Sequence, residues 1–347
     1  MHKFKITDII HHPNNNVSIR FEDLTKIFPS YKAGQFLTLS FVFGDREVRR
    51  SYSFSSSPLL NEPYEITVKR VDNGEISRLL HHRTQIGDVI DVMDPQGLFF
   101  YEPKIDTPRT VFLFAAGVGV TPLFSILKTA LVGEKNSKVI LIYSNSSRER
   151  TLFYDELIAW QEWYPDRLKI EFIWSNAKNL LKARLNRTYI IQLLQTHNVV
   201  GVDSIYYTCG PLFYMDLCRY TLLGMGVPDE FIKRETFHFP EEEEDEDEKE
   251  EEPVDMTSYN VVLHFNGESH HFSVPYDKTI LDIGLEHKLK LPYSCKSGMC
   301  STCISQVTIG AVRMDYNEVL TDREVENGRC LLCTAHPLED GTTIQIL

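Results

Sequence analysis

Four cysteines near the C-terminus carry a spacing with specific chemistry. Cys295, Cys300 and Cys303 read C-x4-C-x2-C, and Cys333 follows after a gap of 29 residues. Thiolates at this spacing hold a [2Fe–2S] cluster, which moves electrons singly. The residues between them suit that use. Gly298 and the small side chains of Ser294, Ser297, Ser301 and Thr302 let backbone amides approach the sulfurs, and such N–H···S contacts tune a cluster's potential. A second arrangement stays open, a zinc ion held by two C-x2-C knuckles, Cys300/Cys303 and Cys330/Cys333. A disulfide framework fits poorly: the chain has 347 residues, five of its seven cysteines crowd one end, and its start lacks an apolar leader core. The stretch Gly328–Cys333 reads as a short strand with Cys330 and Cys333 on opposite faces. Spacing assigns the fourth ligand to Cys333 and leaves Cys330 as a packed thiol.

These cysteines need a scaffold, and the flanking sequence supplies one. Tyr259–Phe265 alternates, Asn266-Gly267 marks a tight hairpin turn, and His271–Val274 returns. Thr279 is placed to start a helix with Ile280, Ile283 and Leu285 toward a core. The cysteine loop and a strand over Ile304–Ile309 follow. This order of hairpin, helix and cluster loop resembles a plant-type ferredoxin over residues 258–347, which implies a β-grasp ferredoxin domain.

The net charge of −13 is concentrated in one place. Residues 241–252, EEEEDEDEKEEE, hold eleven acids and one Lys, which is −10 of the total and leaves −3 elsewhere. A block of like charge reads as a solvated tether, or as a dock for a basic partner. It marks a boundary, with a linker over 240–257. No basic stripe suggests nucleic-acid binding. No run reaches the roughly 20 apolar residues that span a bilayer, so no membrane partner is expected. With free thiols, the expected compartment is the reducing cytoplasm.

Upstream, residues 1–103 are rich in short strands such as Phe36–Phe43, Tyr64–Arg70 and Val89–Val92, which predicts an antiparallel barrel. Over residues 104–239 the rhythm changes. Continuous apolar runs at Arg109–Ala116, Val139–Tyr143, Ile170–Trp174 and Ser204–Thr208 alternate with helical stretches, the pattern of a doubly wound α/β domain. Three motifs fall at useful points. Arg50-Ser51-Tyr52-Ser53 offers a planar fork for a phosphate and a ring for stacking, although an exposed strand uses the same residues. Gly74-Glu75-Ile76-Ser77 heads a helix, where free N–H groups receive a phosphate or a side chain merely caps. Gly117-Val118-Gly119-Val120-Thr121-Pro122 follows the first buried strand, where glycines allow a pyrophosphate close to the backbone.

Taken with Cys209-Gly210-Pro211, these motifs occur in the order and spacing of the ferredoxin–NADP⁺ reductase-like flavoproteins. With the cysteine domain, the chain resembles the class of that superfamily with a ferredoxin fused at the C-terminus, such as the reductases of the phenylacetyl-CoA epoxidase system and of related oxygenases and hydroxylases. The resemblance covers all but the acidic run. It implies a multidomain β, α/β and α+β protein: an antiparallel FAD-binding β-barrel, a doubly wound nucleotide-binding domain and a β-grasp ferredoxin domain. It implies that Arg50 and Ser51 bind FAD, that Tyr52 packs on the isoalloxazine and that Ser53 sits by its reactive nitrogen. Gly74 and Ser77 would take the pyrophosphate, while Gly117, Gly119, Thr121 and Pro122 line the dinucleotide site. Cys209 and Gly210 would lie where hydride passes, and Glu235 and Phe237 would close the flavin site. After Tyr143, Arg148 and Arg150 favour the 2′-phosphate of NADPH, with NADH as the alternative.

A nicotinamide gives two electrons together and a [2Fe–2S] cluster accepts one, so a flavin belongs between them. The expected path runs from NADPH through FAD and the cluster to a protein acceptor, an oxygenase or hydroxylase component. Alternatives are a non-catalytic redox sensor or scaffold, and an NADH-dependent reductase of another acceptor such as a desaturase.

Overall fold

The computed structural model describes residues 1–105, 107–178, 183–197, 203–237 and 257–347. Apart from Thr257, the acidic linker expected over 240–257 lies outside the described residues. Two compact units divide the chain, Met1–Phe237 and His238–Leu347.

The first unit opens with six antiparallel strands and one helix: β1 (His2–His12), β2 (Asn16–Asp23), β3 (Phe36–Phe43), β4 (Arg46–Ser53), β5 (Tyr64–Lys69), α1 (Glu75–His82) and β6 (Val89–Val92). Their order across the sheet is β4-β3-β6-β1-β2-β5. A bridge between Phe54 and Ile66 joins the two edges and closes the barrel. Alternation decides which face turns inward. Phe4 and Ile6, Val17, Ile19 and Phe21, Leu37 and Leu39, and Ile66 and Val68 are all buried in one core.

A parallel sheet follows, built from β7 (Thr110–Ala116), α2 (Val120–Gly133), β8 (Lys138–Asn145), α3 (Tyr154–Trp163), β9 (Leu168–Trp174), α4 (Arg187–Thr196), β10 (Ser204–Cys209), α5 (Leu212–Gly224) and β11 (Ile232–Glu235). The order is β11-β10-β7-β8-β9. Central β7 is apolar from Val111 to Ala116 because both its faces are covered. Val111, Leu113 and Ala115 pack with α2, and Phe112 and Phe114 pack with α4 and α5. Each of the Val, Leu and Phe side chains contributes about 2 kcal/mol on burial.

Where the barrel segment passes into this sheet, a buried polar knot ties the two. Tyr101 donates to Glu134 Oε1 at 2.5 Å. Arg109 donates to the same oxygen at 2.7 Å and to the Glu102 carbonyl at 2.6 Å. The Lys104 N–H adds a fourth bond at 2.7 Å. Burial pushes the Glu134 carboxyl up, but the bonds from Arg109, Ser137, Tyr101 and Lys104 together hold it below the ordinary value.

The second unit contains β12 (Tyr259–Phe265), β13 (Glu268–Val274), α6 (Ile280–Glu286), β14 (Ile304–Ile309), β15 (Val312–Met314), α7 (Asp322–Glu326), β16 (Arg329–Leu331), β17 (Ala335–Pro337) and β18 (Thr342–Ile346). Its main sheet is ordered β13-β12-β18-β14-β16. The first hairpin turns at Asn266 and Gly267, both with positive φ, as a two-residue type I′ turn requires. Thr279 caps α6 in a box with Asp282. Two sequence expectations change. In α6 the buried stripe is Ile280, Leu281, Ile283 and Gly284, so Leu285 sits at its flank, half-buried. Gly284 is pressed so close to Leu291 that an added Cβ would lie 2.4 Å from it. The expected strand through Cys333 ends at Leu331. There Leu332 N–H bonds to the Cys303 carbonyl, and Thr334 N–H closes on the Leu331 carbonyl, turning the chain before Cys333 can extend the ladder.

Candidate functional site

The cysteine loop takes its shape from one glycine and a few amides. Gly298 has a φ of +71°, and a Cβ there would lie 2.4 Å from the Tyr316 carbonyl. Only glycine suits that position. Its N–H points at Cys333 Sγ at 3.4 Å, and the Ser297 N–H points at Cys295 Sγ at 3.4 Å. Cys295 hydrogen-bonds to Cys300 and Cys333, which lowers its thiol. Cys333 bonds in turn to Cys295 and Cys303, and it and Cys300 are raised. The sulfurs are thus linked in the order Cys300, Cys295, Cys333, Cys303, with amides aimed at two of them. Among the described residues, no three His, Cys, Asp or Glu side chains converge on a single ion. Cys330 takes no part in these sulfur contacts. It is fully buried in β16, and burial, then the charge of Cys303, pushes its thiol up to about 12. The donor set fits a [2Fe–2S] cluster.

In the first unit, the glycine turn and the Cys209 motif meet. The 3₁₀ turn Gly117–Gly119 joins β7 to α2. A Cβ on Gly119 would lie 2.3 Å from the Cys209 carbonyl, and one on Gly210 would lie 2.8 Å from Ala116. Both glycines thus permit a backbone approach that no larger residue allows. Gly117, by contrast, has a φ of +55° and open space where its Cβ would stand. Thr121, in the first turn of α2 beside Pro122, donates its hydroxyl to the Val118 carbonyl at 2.7 Å. Cys209 pairs with Glu235 across β10 and β11. The Glu235 carboxyl turns inward: Oε2 is shielded and has no hydrogen-bond partner. Burial pushes its pKa up to about 8, and burial followed by Glu235 raises the Cys209 thiol. Phe237, two residues on, is 38% exposed.

The barrel contributes β4 and α1. Arg50 and Tyr52 share one face of β4, opposite Leu39 and Leu37, and Ser51 and Ser53 share the other. Arg50 Nη1 bonds to the Arg49 carbonyl at 2.8 Å. Ser51 meets Thr38 Oγ1 at 2.9 Å. Ser53 is buried, and its hydroxyl has no partner. Such an orphan inside a protein calls for a group to satisfy it. Just beyond, Phe54 bridges to β5, which runs against the glycine turn. The chain from β4 through β5 thus brings the R-x-Y-S strand toward Gly117–Gly119. Gly74 is the N-cap of α1 without a side-chain bond. The Ser77 hydroxyl is engaged locally, accepting from Val71 N–H at 3.1 Å and donating to the Gly74 carbonyl at 3.2 Å. A ligand at this end of α1 would meet backbone N–H groups rather than that hydroxyl. Sequence reasoning passed over Tyr143, whose hydroxyl donates to the Gly117 carbonyl at 3.0 Å. The available signal was a polar tip ending the apolar run Val139–Tyr143, which needs a partner when buried.

A closed barrel, a parallel sheet with a glycine turn, and a four-cysteine domain define an iron–sulfur flavoprotein oxidoreductase. Comparison with known proteins agrees. Residues 15–101 match the oxidoreductase FAD-binding domain, 113–219 the oxidoreductase NAD-binding domain, and 263–338 the 2Fe-2S iron-sulfur cluster binding domain. The chain is 32% identical to the ferredoxin reductase component of 3-ketosteroid-9-alpha-monooxygenase from Rhodococcus rhodochrous, over 91% of this chain and 88% of that one. It is 31% identical to a component of the 1,2-phenylacetyl-CoA epoxidase of Escherichia coli K12, over 90% and 88%. The fold is that of phthalate dioxygenase reductase, with a TM-score of 0.61 at 23% identity, covering 99% of this chain and 97% of that chain. The protein belongs to the family of modular reductases that join FAD-binding, NAD-binding and 2Fe-2S domains in one chain. It is an electron-transfer oxidoreductase that uses FAD, a [2Fe–2S] cluster and a nicotinamide nucleotide. Among the described residues, no helix is long and apolar enough to cross a membrane.

Proposed function

We propose that this reductase draws electrons from NADPH and delivers them to an oxygenase or hydroxylase component. The flavin supplies the conversion of a two-electron donor into single electrons, and the cluster supplies the one-electron exit. The observation that carries the reading is the close seat of Gly119 on the Cys209–Gly210 backbone, in a chain that also holds four linked sulfurs. The acceptor class rests on the relatives, which are named as components of monooxygenase and epoxidase systems.

Each residue then has a defined task. Arg50 and Ser51 bind the flavin nucleotide, Tyr52 packs on its ring, and the unsatisfied Ser53 hydroxyl bonds to it. The N–H groups at Gly74 and Ser77 receive the pyrophosphate. Gly117, Gly119, Thr121 and Pro122 shape the seat of the nicotinamide nucleotide, with Cys209 and Gly210 as its floor. Glu235, a neutral carboxylic acid up to a pH of about 8, sits beside that floor and helps close the flavin site. Phe237 shields the flavin edge. Arg148 lies with its guanidinium 4.5 Å from the Tyr154 ring, and with Arg150 it recognises the 2′-phosphate. Cys295, Cys300, Cys303 and Cys333 hold the cluster. The domains span 1–103, 104–239 and 258–347.

Purified protein with NADPH should reduce cytochrome c. Cys333→Ser should lose that activity and the cluster absorbance, yet still reduce ferricyanide. A wild-type protein that reduces neither dye would be a sensor or scaffold. Arg148→Ala should raise the KM for NADPH several-fold and leave that for NADH unchanged; equal effects on both nucleotides would sink the assignment.

A further inference from the structure

The glycine turn is held from inside by two hydroxyls on buried residues. Tyr143 is fully buried and Thr121 is 1% exposed. Tyr143 donates to the Gly117 carbonyl at 3.0 Å and Thr121 to the Val118 carbonyl at 2.7 Å. In a trans peptide the carbonyl and the following N–H point in opposite directions. Anchoring the Gly117 carbonyl inward therefore aims the Val118 N–H outward, and anchoring the Val118 carbonyl does the same for Gly119. The Gly117 carbonyl also accepts the Val120 N–H that closes the 3₁₀ turn; with a φ of +55° and open space where a Cβ would stand, the Tyr143 hydroxyl adds the side-chain anchor to that backbone bond.

We propose that Tyr143 is a positioning residue for the nicotinamide nucleotide, its hydroxyl holding the glycine turn in the orientation that presents the Val118 N–H to the ligand. This rests on the reading that the nucleotide binds at the turn. The phenol touches neither ligand nor reacting atoms. It acts through the peptide it holds, so its loss should weaken binding and leave turnover at saturation intact.

The test uses the full holoprotein with NADPH as the varied substrate and ferricyanide as acceptor. Tyr143→Phe should raise the KM for NADPH about three- to tenfold, the worth of one net hydrogen bond. Its kcat, flavin content and cluster absorbance should match wild type. Two further variants separate the possible failures. Tyr207→Phe removes another buried tyrosine's hydroxyl, one that donates to the Phe100 carbonyl at 2.9 Å, and should leave KM unchanged. Gly117→Ala places a methyl group in the open mouth of the turn and should raise KM. An unchanged KM in Tyr143→Phe beside a raised KM in Gly117→Ala would overturn the role of Tyr143 alone. Unchanged values in both would overturn the nucleotide site itself. Equal rises in Tyr143→Phe and Tyr207→Phe would show a general loosening and also overturn the proposal.

Discussion

Cys330 and Cys333 are three residues apart and have opposite chemistry. One sulfur is sealed in a strand with its thiol held neutral by burial; the other stands in a turn with an amide and two sulfurs facing it. Cys330→Ser should therefore keep the visible spectrum of the cluster, at a stability cost of about 1–3 kcal/mol for a hydroxyl buried without its own partner. Loss of the spectrum would return Cys330 to the ligand set. Spacing alone proposes Cys295, Cys300, Cys303 and Cys333 as the ligands. It could not show how differently Cys330 is packed, because that depends on where β16 stops. Glu235 gives a second prediction. Its folded pKa of about 8 lies above the ordinary carboxyl value of 4.5, so the folded state holds a proton that the unfolded state releases. Stability from this site is present below pH 4.5 and is lost as pH rises toward 8. In thermal unfolding, Glu235→Gln should remove that decline, and the gap between variant and wild type should widen from pH 5 to about 8. Parallel curves would contradict the burial of this carboxyl. The motif around Glu235 was legible only by resemblance; its missing partner is a property of packing.

At the scale of elements, α2 shows what a sequence conceals. Its first 12 residues, Val120 through Leu131, are buried, polar ones included. Ser125 donates to the Ser56 carbonyl at 2.5 Å, Thr129 meets Ser57 at 2.7 Å, and Lys128 reaches Glu62 at 2.7 Å with its own side chain 5% exposed. The helix that begins at the glycine turn is thus stitched to the barrel loop that follows β4. Ser, Thr and Lys on a helix ordinarily signal a solvated face, and nothing local marks them as a seam. The apolar strands were easier to read because their alternation or continuity survives without knowledge of neighbours. Lys128→Met keeps the stem and removes the charge. It should cost about 1–3 kcal/mol in urea unfolding, since it strands the Glu62 carboxylate at a half-buried seam. A neutral result would mean that water readily replaces the ammonium.

On the scale of the whole molecule, each unit has its own core. Residues such as Val261, Leu263, Phe272, Ile280, Leu281 and Ile344 are buried in the second. A polypeptide of residues 1–237 should bind FAD and reduce ferricyanide with NADPH, while residues 257–347 alone should assemble the cluster. Mixed together, they should reduce cytochrome c more slowly than the intact chain, because the shared backbone supplies an effective concentration that free mixing lacks. An equal rate in the mixture would deny the linkage any kinetic value. The order of domains was fully legible from motifs. What binds the barrel to the parallel sheet was not, because Glu134 lies 33 residues from Tyr101 and 25 from Arg109 and the three match no motif. Their knot has a calorimetric consequence. The bonds of the knot that cross between the halves run from Tyr101 to Glu134 and from Arg109 to the Glu102 carbonyl, so melting the barrel leaves the buried Arg109–Glu134 pair short of both, at about 1–3 kcal/mol for each unsatisfied group. Heating residues 1–237 should give one endotherm, and Glu134→Gln should split it in two.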